Sequence, residues 1–402
     1  MTAAMSPERE DALLAEAVSI LARLVAFPTV SADPNVPLIE YVRALLAGHG
    51  VDSELFANDA GTKASLWATV GPAARPGLVL SGHTDVVPAA GQAWTRSPFV
   101  LTDEGDRLYG RGTADMKGFL ACVLAMVPVF VARGGPVPIH LAFSYDEEIG
   151  CLGVRPMLAE IARRRPLPLG CVIGEPTGGR PVTAHKGKVA VRCDVVGRAC
   201  HSAHAPEGVN AVEKAARLIV AIEDLAQAFA ARGPRDARFD PPFATAQTGV
   251  FSGGSSVNVV PARASFSFEA RSTDEAELDG FLEAVRMKAE RDVLPAMRTQ
   301  AAEAEVRFEQ LTRYPALRSA DDETVVALAL EASGEPQTGV ISFGSEGGLF
   351  VEAGIPAVIC GPGSMDQGHK PDEFVTRAEL RRCLRFLSRL GEHLQDSAGG
   401  PG

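Results

Sequence analysis

Apolar residues recur every three to four positions over residues 6–24, 37–49, 116–133, 154–164, 321–332 and 377–391, and that spacing predicts helices there. In the third of these the stripe is Phe119, Leu120, Val123, Leu124, Val127 and Val131, with Pro128 placed to bend it. Ser6 and Pro7 supply a cap and first turn for the first helix. Short apolar runs bounded by glycine, proline or acids predict strands at 65–70, 78–80, 139–145, 169–173, 339–343 and 357–360. Strands alternating with helices are the grammar of an α/β layer with a mostly parallel or mixed sheet.

Between these two blocks the pattern changes. After Gly187, residues 188–196 alternate apolar and polar, 210–231 are helical, 245–251 are extended, 257–271 alternate again, 274–291 are helical and 305–311 form a last strand. The order β-α-β-β-α-β predicts a compact sandwich with one helix-free sheet face, which can pair across a dimer. A chain of 402 residues exceeds what one core usually supports. The expected organisation is a discontinuous domain, 1–184 with 315–402, interrupted by an inserted one at 185–314.

Composition narrows the function. With 39 basic against 50 acidic residues the net charge is −11, which disfavours nucleic acid or an anionic membrane as partner. The 7 cysteines lack any C-x-x-C pair, so reduced thiols are expected rather than a disulfide framework or structural zinc knot. The N-terminus has acids ahead of its first apolar stretch and no secretory pattern, and no run approaches a membrane span, so a soluble cytoplasmic protein is expected. The tail 397–402, SAGGPG, is expected to fray.

Candidate chemistry gathers at strand ends. Asp146-Glu147-Glu148 closes the run 139–143, where three like charges repel unless a cation holds them together. His83 follows the strand 78–80 with Asp85 two residues on, so in an extended chain the carboxylate can orient the imidazole; a lone structural histidine is the plainer alternative. Asp115 opens the long helix, where it can cap the helix or face the same mouth as His83. Glu175 in GEPTG and His369 in QGHKPDEF also fall in such positions. The glycines of GRGTADMKG fit neither a dinucleotide fingerprint nor a P-loop. Imidazole and carboxylate together suit zinc and similar cations. Two divalent cations against Asp115, Glu148, Glu175 and two neutral histidines leave one positive charge, which favours a deprotonated water and leaves Glu147 free to shuttle its proton.

SGHTDVVP, GRGTADMKG, SYDEEIG, GEPTG, HSAHAPEGVNA and GHKPDEF, in this order, resemble the dinuclear-zinc deacylase family that includes acetylornithine deacetylase, succinyl-diaminopimelate desuccinylase and related carboxypeptidases. The resemblance spans about residues 10–392. It implies a mixed-sheet zinc-hydrolase catalytic domain with an inserted ferredoxin-like α+β dimerisation domain, and two Zn2+ per subunit with Co2+ able to substitute. It implies further that Asp115 bridges the metals, with His83 and Glu175 completing one site and Glu148 and His369 the other. Glu147 matches the general acid/base, Asp85 the orienter of the histidine, and His201 a residue that reaches a neighbouring active site to polarise the scissile carbonyl. Asn258, Arg271 and Glu346 match substrate-binding positions. AHKG, DEEIGCLGV and GPGSMDQGHKPDEF are most similar to the acetylornithine-deacetylating branch of arginine biosynthesis, implying hydrolysis of N2-acetyl-L-ornithine by a homodimer. The chain departs from the pattern in having Ser-Ala after His201 and GSEGG around Glu346. Succinyl-diaminopimelate, acetylcitrulline or another N-acyl amino acid is the alternative substrate. A non-catalytic metal-binding homologue and a cysteine nucleophile at Cys151 or Cys200 are the rival mechanisms.

Overall fold

The structure is a computed structural model that describes residues 5–396; the tail expected to fray lies outside them. It divides into two compact units, one of residues 1–184, 317–340 and 345–402, the other of 185–316 and 341–344.

The first unit is built on a nine-stranded mixed sheet. Its centre runs Ile139–Ser144, Leu78–His83, Gly170–Pro176, Ala357–Gly361, all mutually parallel, with Ala64–Val70 and Ser53–Ala57 added antiparallel at one side. Residues of these central strands are buried along their whole length, as expected for parallel strands covered on both faces. Helices Pro7–Val25, Gly118–Arg133, Thr324–Ser333 and Arg377–Asp396 pack on one another and share a core with the sheet. Segment Thr113–Arg133 has the length and apolarity of a membrane span, but 89% of its apolar 18-residue window is buried inside the protein. A small sheet, Thr102–Glu104 with Arg107–Tyr109 and Phe374–Thr376, was not legible as strands because each piece is three residues long.

The second unit is a four-stranded antiparallel sheet in the order Thr245–Gly253, Arg263–Ser272, Gly187–Val196, Glu305–Tyr314. Helices Ala211–Arg232 and Glu275–Lys288 cover one face. Val189, Val191, Cys193 and Val195 alternate inward with Phe266 and Phe268, whereas Lys188, Arg192 and Asp194 between them reach solvent. This is the β-α-β-β-α-β sandwich of ferredoxin-like type. The helical pattern at 274–291 continues through Ala289–Val293 into a further short helix, Leu294–Gln300, which the sequence pattern had left out.

Candidate metal centre and active site

Parallel strands converge their carboxyl ends at one edge of the first unit's sheet, and the candidate residues stand there. Strand Leu78–His83 ends on His83, Ile139–Ser144 leads into Asp146-Glu147-Glu148, and Gly170–Pro176 carries Glu175. Asp115 comes from the turn Thr113–Lys117 ahead of the long helix, with an extended backbone (φ −120°, ψ 93°), and it does not cap that helix: the cap position is Lys117, and the Asp115 carboxylate faces His83 and His369. The turn begins at Gly112, whose φ of 84° suits glycine, and a Cβ there would press on Val86. His369 arrives on the loop before Phe374–Thr376 with φ of 60°.

Asp115 is the hub. Its Oδ1 lies 3.0 Å from Nε2 of His83, which is also 3.9 Å from Oε1 of Glu175. Its Oδ2 lies 3.1 Å from Nε2 of His369, which is 3.0 Å from Oε1 of Glu148. Two triads therefore share one carboxylate, His83–Asp115–Glu175 and Asp115–Glu148–His369, and within each the donor atoms are within 4.8 Å of one another.

Burial and mutual charge shift these groups together. Burial, reinforced by the charge of Asp115, lifts the Glu148 carboxyl to about 7 and Glu175 well above the usual range. Hydrogen bonds to Asp115 and Glu148 push His369 up to about 10. Burial would lower His83, but Asp115 and Asp85 outweigh it and hold its pKa well above normal. Divalent cations bound at these groups would displace any protons they carry. Two imidazoles and three carboxylates in two triads fit a dinuclear site of borderline cations.

The three consecutive acids part company. Asp146, with φ of 53°, turns away to a buried ion pair with Lys63 (2.5 Å) and accepts the amide of Ala32 at 2.9 Å. The cation that holds Asp146 is thus a lysine, which pattern reading passed over. Glu148 faces His369, and Glu147 belongs to neither triad. Burial first, then Glu148 and Glu346, raise the Glu147 carboxyl well above its usual pKa, with His83 opposing.

Asp85 meets the His83 ring mainly through its main chain. Nδ1 of His83 is 2.9 Å from the main-chain carbonyl of Asp85 and 3.5 Å from its carboxylate. That carboxylate instead accepts the amides of Glu147 (3.1 Å) and Glu148 (3.3 Å) and the Ser31 hydroxyl (2.7 Å). The strand ends at His83, so the extended geometry that would have aligned the two side chains stops there.

Glu346 is buried beneath the same edge, its oxygens engaged by the hydroxyls of Ser144 and Ser81, and burial raises its pKa to about 7. His201, Asn258 and Arg271 belong to the second unit. His201 is exposed and accepts the Ala203 amide, Asn258 is exposed, and Arg271 bonds Glu269. The Cys151 thiol donates to Glu147, and burial holds it well above its usual pKa, the reverse of what a nucleophile needs. The Cys200 thiol faces the His204 carbonyl rather than a base.

The profile of peptidase family M20/M25/M40 matches residues 79–393. The chain belongs to this family. A curated relative, acetylornithine deacetylase of Myxococcus xanthus, is 36% identical over 383 residues, covering 93% of this chain and 96% of its own length. Solved members share the M20 fold at lower identity. An M20 family metallo-carboxypeptidase from Sulfolobus solfataricus superposes with a TM-score of 0.76 at 20% identity, covering 95% of this chain and 99% of its own. A dinuclear metal binding peptidase of the M20 family from Bacillus subtilis does so with 0.67 at 16%, covering 96% and 99%. The sheet edge described above therefore sits on an M20 scaffold.

Proposed function

We propose that this chain is a dinuclear metal-dependent deacetylase that hydrolyses N2-acetyl-L-ornithine to acetate and L-ornithine, a step of arginine biosynthesis. The observation that carries the reading is the pair of triads sharing Asp115, with the carboxyl of Glu147, which neither triad includes, next in the chain to Glu148. The substrate rests on the likeness to acetylornithine deacetylase across 93% of the chain. His83, Asp115 and Glu175 would hold one cation, and Asp115, Glu148 and His369 the other. Two Zn2+ are proposed, with Co2+ able to substitute. When bound, such cations polarise an amide carbonyl and acidify water.

The remaining work falls to the chain's own side chains. Glu147 takes the proton of the attacking water and returns it to the departing amine, a role open to a carboxyl that belongs to neither triad. Asp85 fixes the Glu147 and Glu148 amides and, through its carbonyl, the His83 ring. We assign His201 to stabilising the oxyanion, worth about 3 kcal/mol by analogy with other donors to such anions. Asn258, Arg271 and Glu346 are assigned to the amino-acid end of the substrate. A homodimer working in the cytoplasm, with neither nucleic acid nor membrane as partner, completes the proposal.

Acetate release from acetylornithine is measured with metal-stripped protein before and after zinc or cobalt is restored. Activity that returns with the metal is expected. Turnover unaffected by chelation would overturn the metal mechanism. On a panel with succinyl-diaminopimelate and acetylcitrulline, faster turnover of either would replace the substrate.

A further inference from the structure

Glu373 is 1% exposed and lies in none of the ligand triads, yet its carboxylate collects four donors around Asp115. Oε2 accepts the amide of Gly112 (2.9 Å) and Nη1 of Arg111 (2.8 Å). Oε1 accepts the amides of Ala114 (2.9 Å) and Asp115 itself (3.1 Å). The Glu373 carbonyl also accepts the amide of Gly110. Three converging N–H groups form a concave anion seat, and a carboxylate of the same chain fills it. The turn needs such a partner: Thr113 and Lys117 bond carbonyls within it, at Gly110 and Gly112, whereas the amides of Gly112, Ala114 and Asp115 go to Glu373.

The same carboxylate ties together two distant segments. Four residues before Glu373 stands His369, and directly after it the strand Phe374–Thr376 pairs with Arg107–Tyr109, which leads into the Asp115 turn. One clamp therefore sets the register between the segment that offers Asp115 and the segment that offers His369, whose Nε2 and Oδ2 are 3.1 Å apart.

We infer that Glu373 is a positioning residue for the metal centre, holding the Asp115 backbone and the His369 loop in ligating geometry before metal arrives. The inference rests on the dinuclear reading given above. Partners one step removed from metal ligands typically account for about 10- to 100-fold in metal affinity.

The test titrates Co2+ into metal-stripped full-length wild type and Glu373→Gln, reading the absorption of bound cobalt, with amide hydrogen exchange followed on both metal-free proteins. Glutamine keeps one acceptor and turns an NH2 toward the amides. About tenfold or greater weakening of cobalt binding is expected, with faster exchange of Gly112, Ala114 and Asp115 and the other core amides unchanged. Equal affinity in the variant, while wild type binds two cobalt ions, would overturn the positioning role. Wild type that binds no cobalt would instead overturn the dinuclear reading. If Glu373→Gln does not fold, wild type alone decides: protected 112, 114 and 115 amides in metal-free protein support the clamp, and exchange at open-loop rates refutes it.

Discussion

His83 Nε2 lies 3.0 Å from Oδ1 of Asp115, 32 residues further along the chain. The opposite oxygen of that carboxylate faces His369, so Asp115 is the one side chain common to both triads. Removing it should empty both positions, whereas removing one histidine should spare one. We expect Asp115→Ala to lose both metals and His83→Ala to lose one, measured by elemental analysis after gel filtration. Full metal content in Asp115→Ala would break the bridging assignment.

Glu147 stands beside the triads without joining them. Glu147→Gln keeps the size and the hydrogen-bonding ends but cannot carry a proton, so turnover should fall about a hundredfold or more with metal content intact. Glu148→Ala, by contrast, removes a donor that lies 3.0 Å from His369 and should lose metal. Near-normal turnover in Glu147→Gln would remove that residue from the mechanism.

His140 gives a pH dependence away from the site. It is buried, its ring stacks on Trp67 at 4.9 Å, and its Nδ1 meets the Thr69 hydroxyl at 3.0 Å. Burial lowers its pKa to about 4. An unfolded histidine takes its proton near about 6.5. Between these values the unfolded chain binds the extra proton, so the stability is full above about 6.5 and is lost as pH falls toward about 4. At pH 5 the loss from this residue is about 2 kcal/mol relative to pH 7. His140→Gln should show a smaller drop in urea-unfolding stability between those pH values; parallel losses in the two proteins would exclude His140 as the cause.

Much of this was written in the order of residues. The period of two and the period of three to four distinguished the sandwich from the α/β layer, and the ligand candidates followed because buried strands expose chemistry only at their ends. What stayed hidden were partnerships with the backbone. Glu373 reads as one acid in PDEF, because three of its four donors are amides about 260 residues earlier and amides have no letter in a sequence. Asp85 was legible as a neighbour of His83, but which of its oxygens meets the ring depends on where the strand stops. Asp146 seemed equivalent to Glu147 and Glu148 until its left-handed backbone turned it toward Lys63.

That turn sets a last expectation. Lys63 and Asp146 have side chains 8% and 9% exposed, so each neutralises a largely buried charge. Lys63→Met strands the Asp146 carboxylate with the Ala32 amide and should destabilise by about 3 kcal/mol, since removing one partner leaves a buried charge. Adding Asp146→Asn removes that charge and tolerates the φ of 53°, because asparagine adopts the left-handed region more readily than most residues. The double variant should therefore recover more than half of the loss in denaturant unfolding. If the two substitutions instead add, with the double variant less stable than Lys63→Met, the pair is not what separates the three acids.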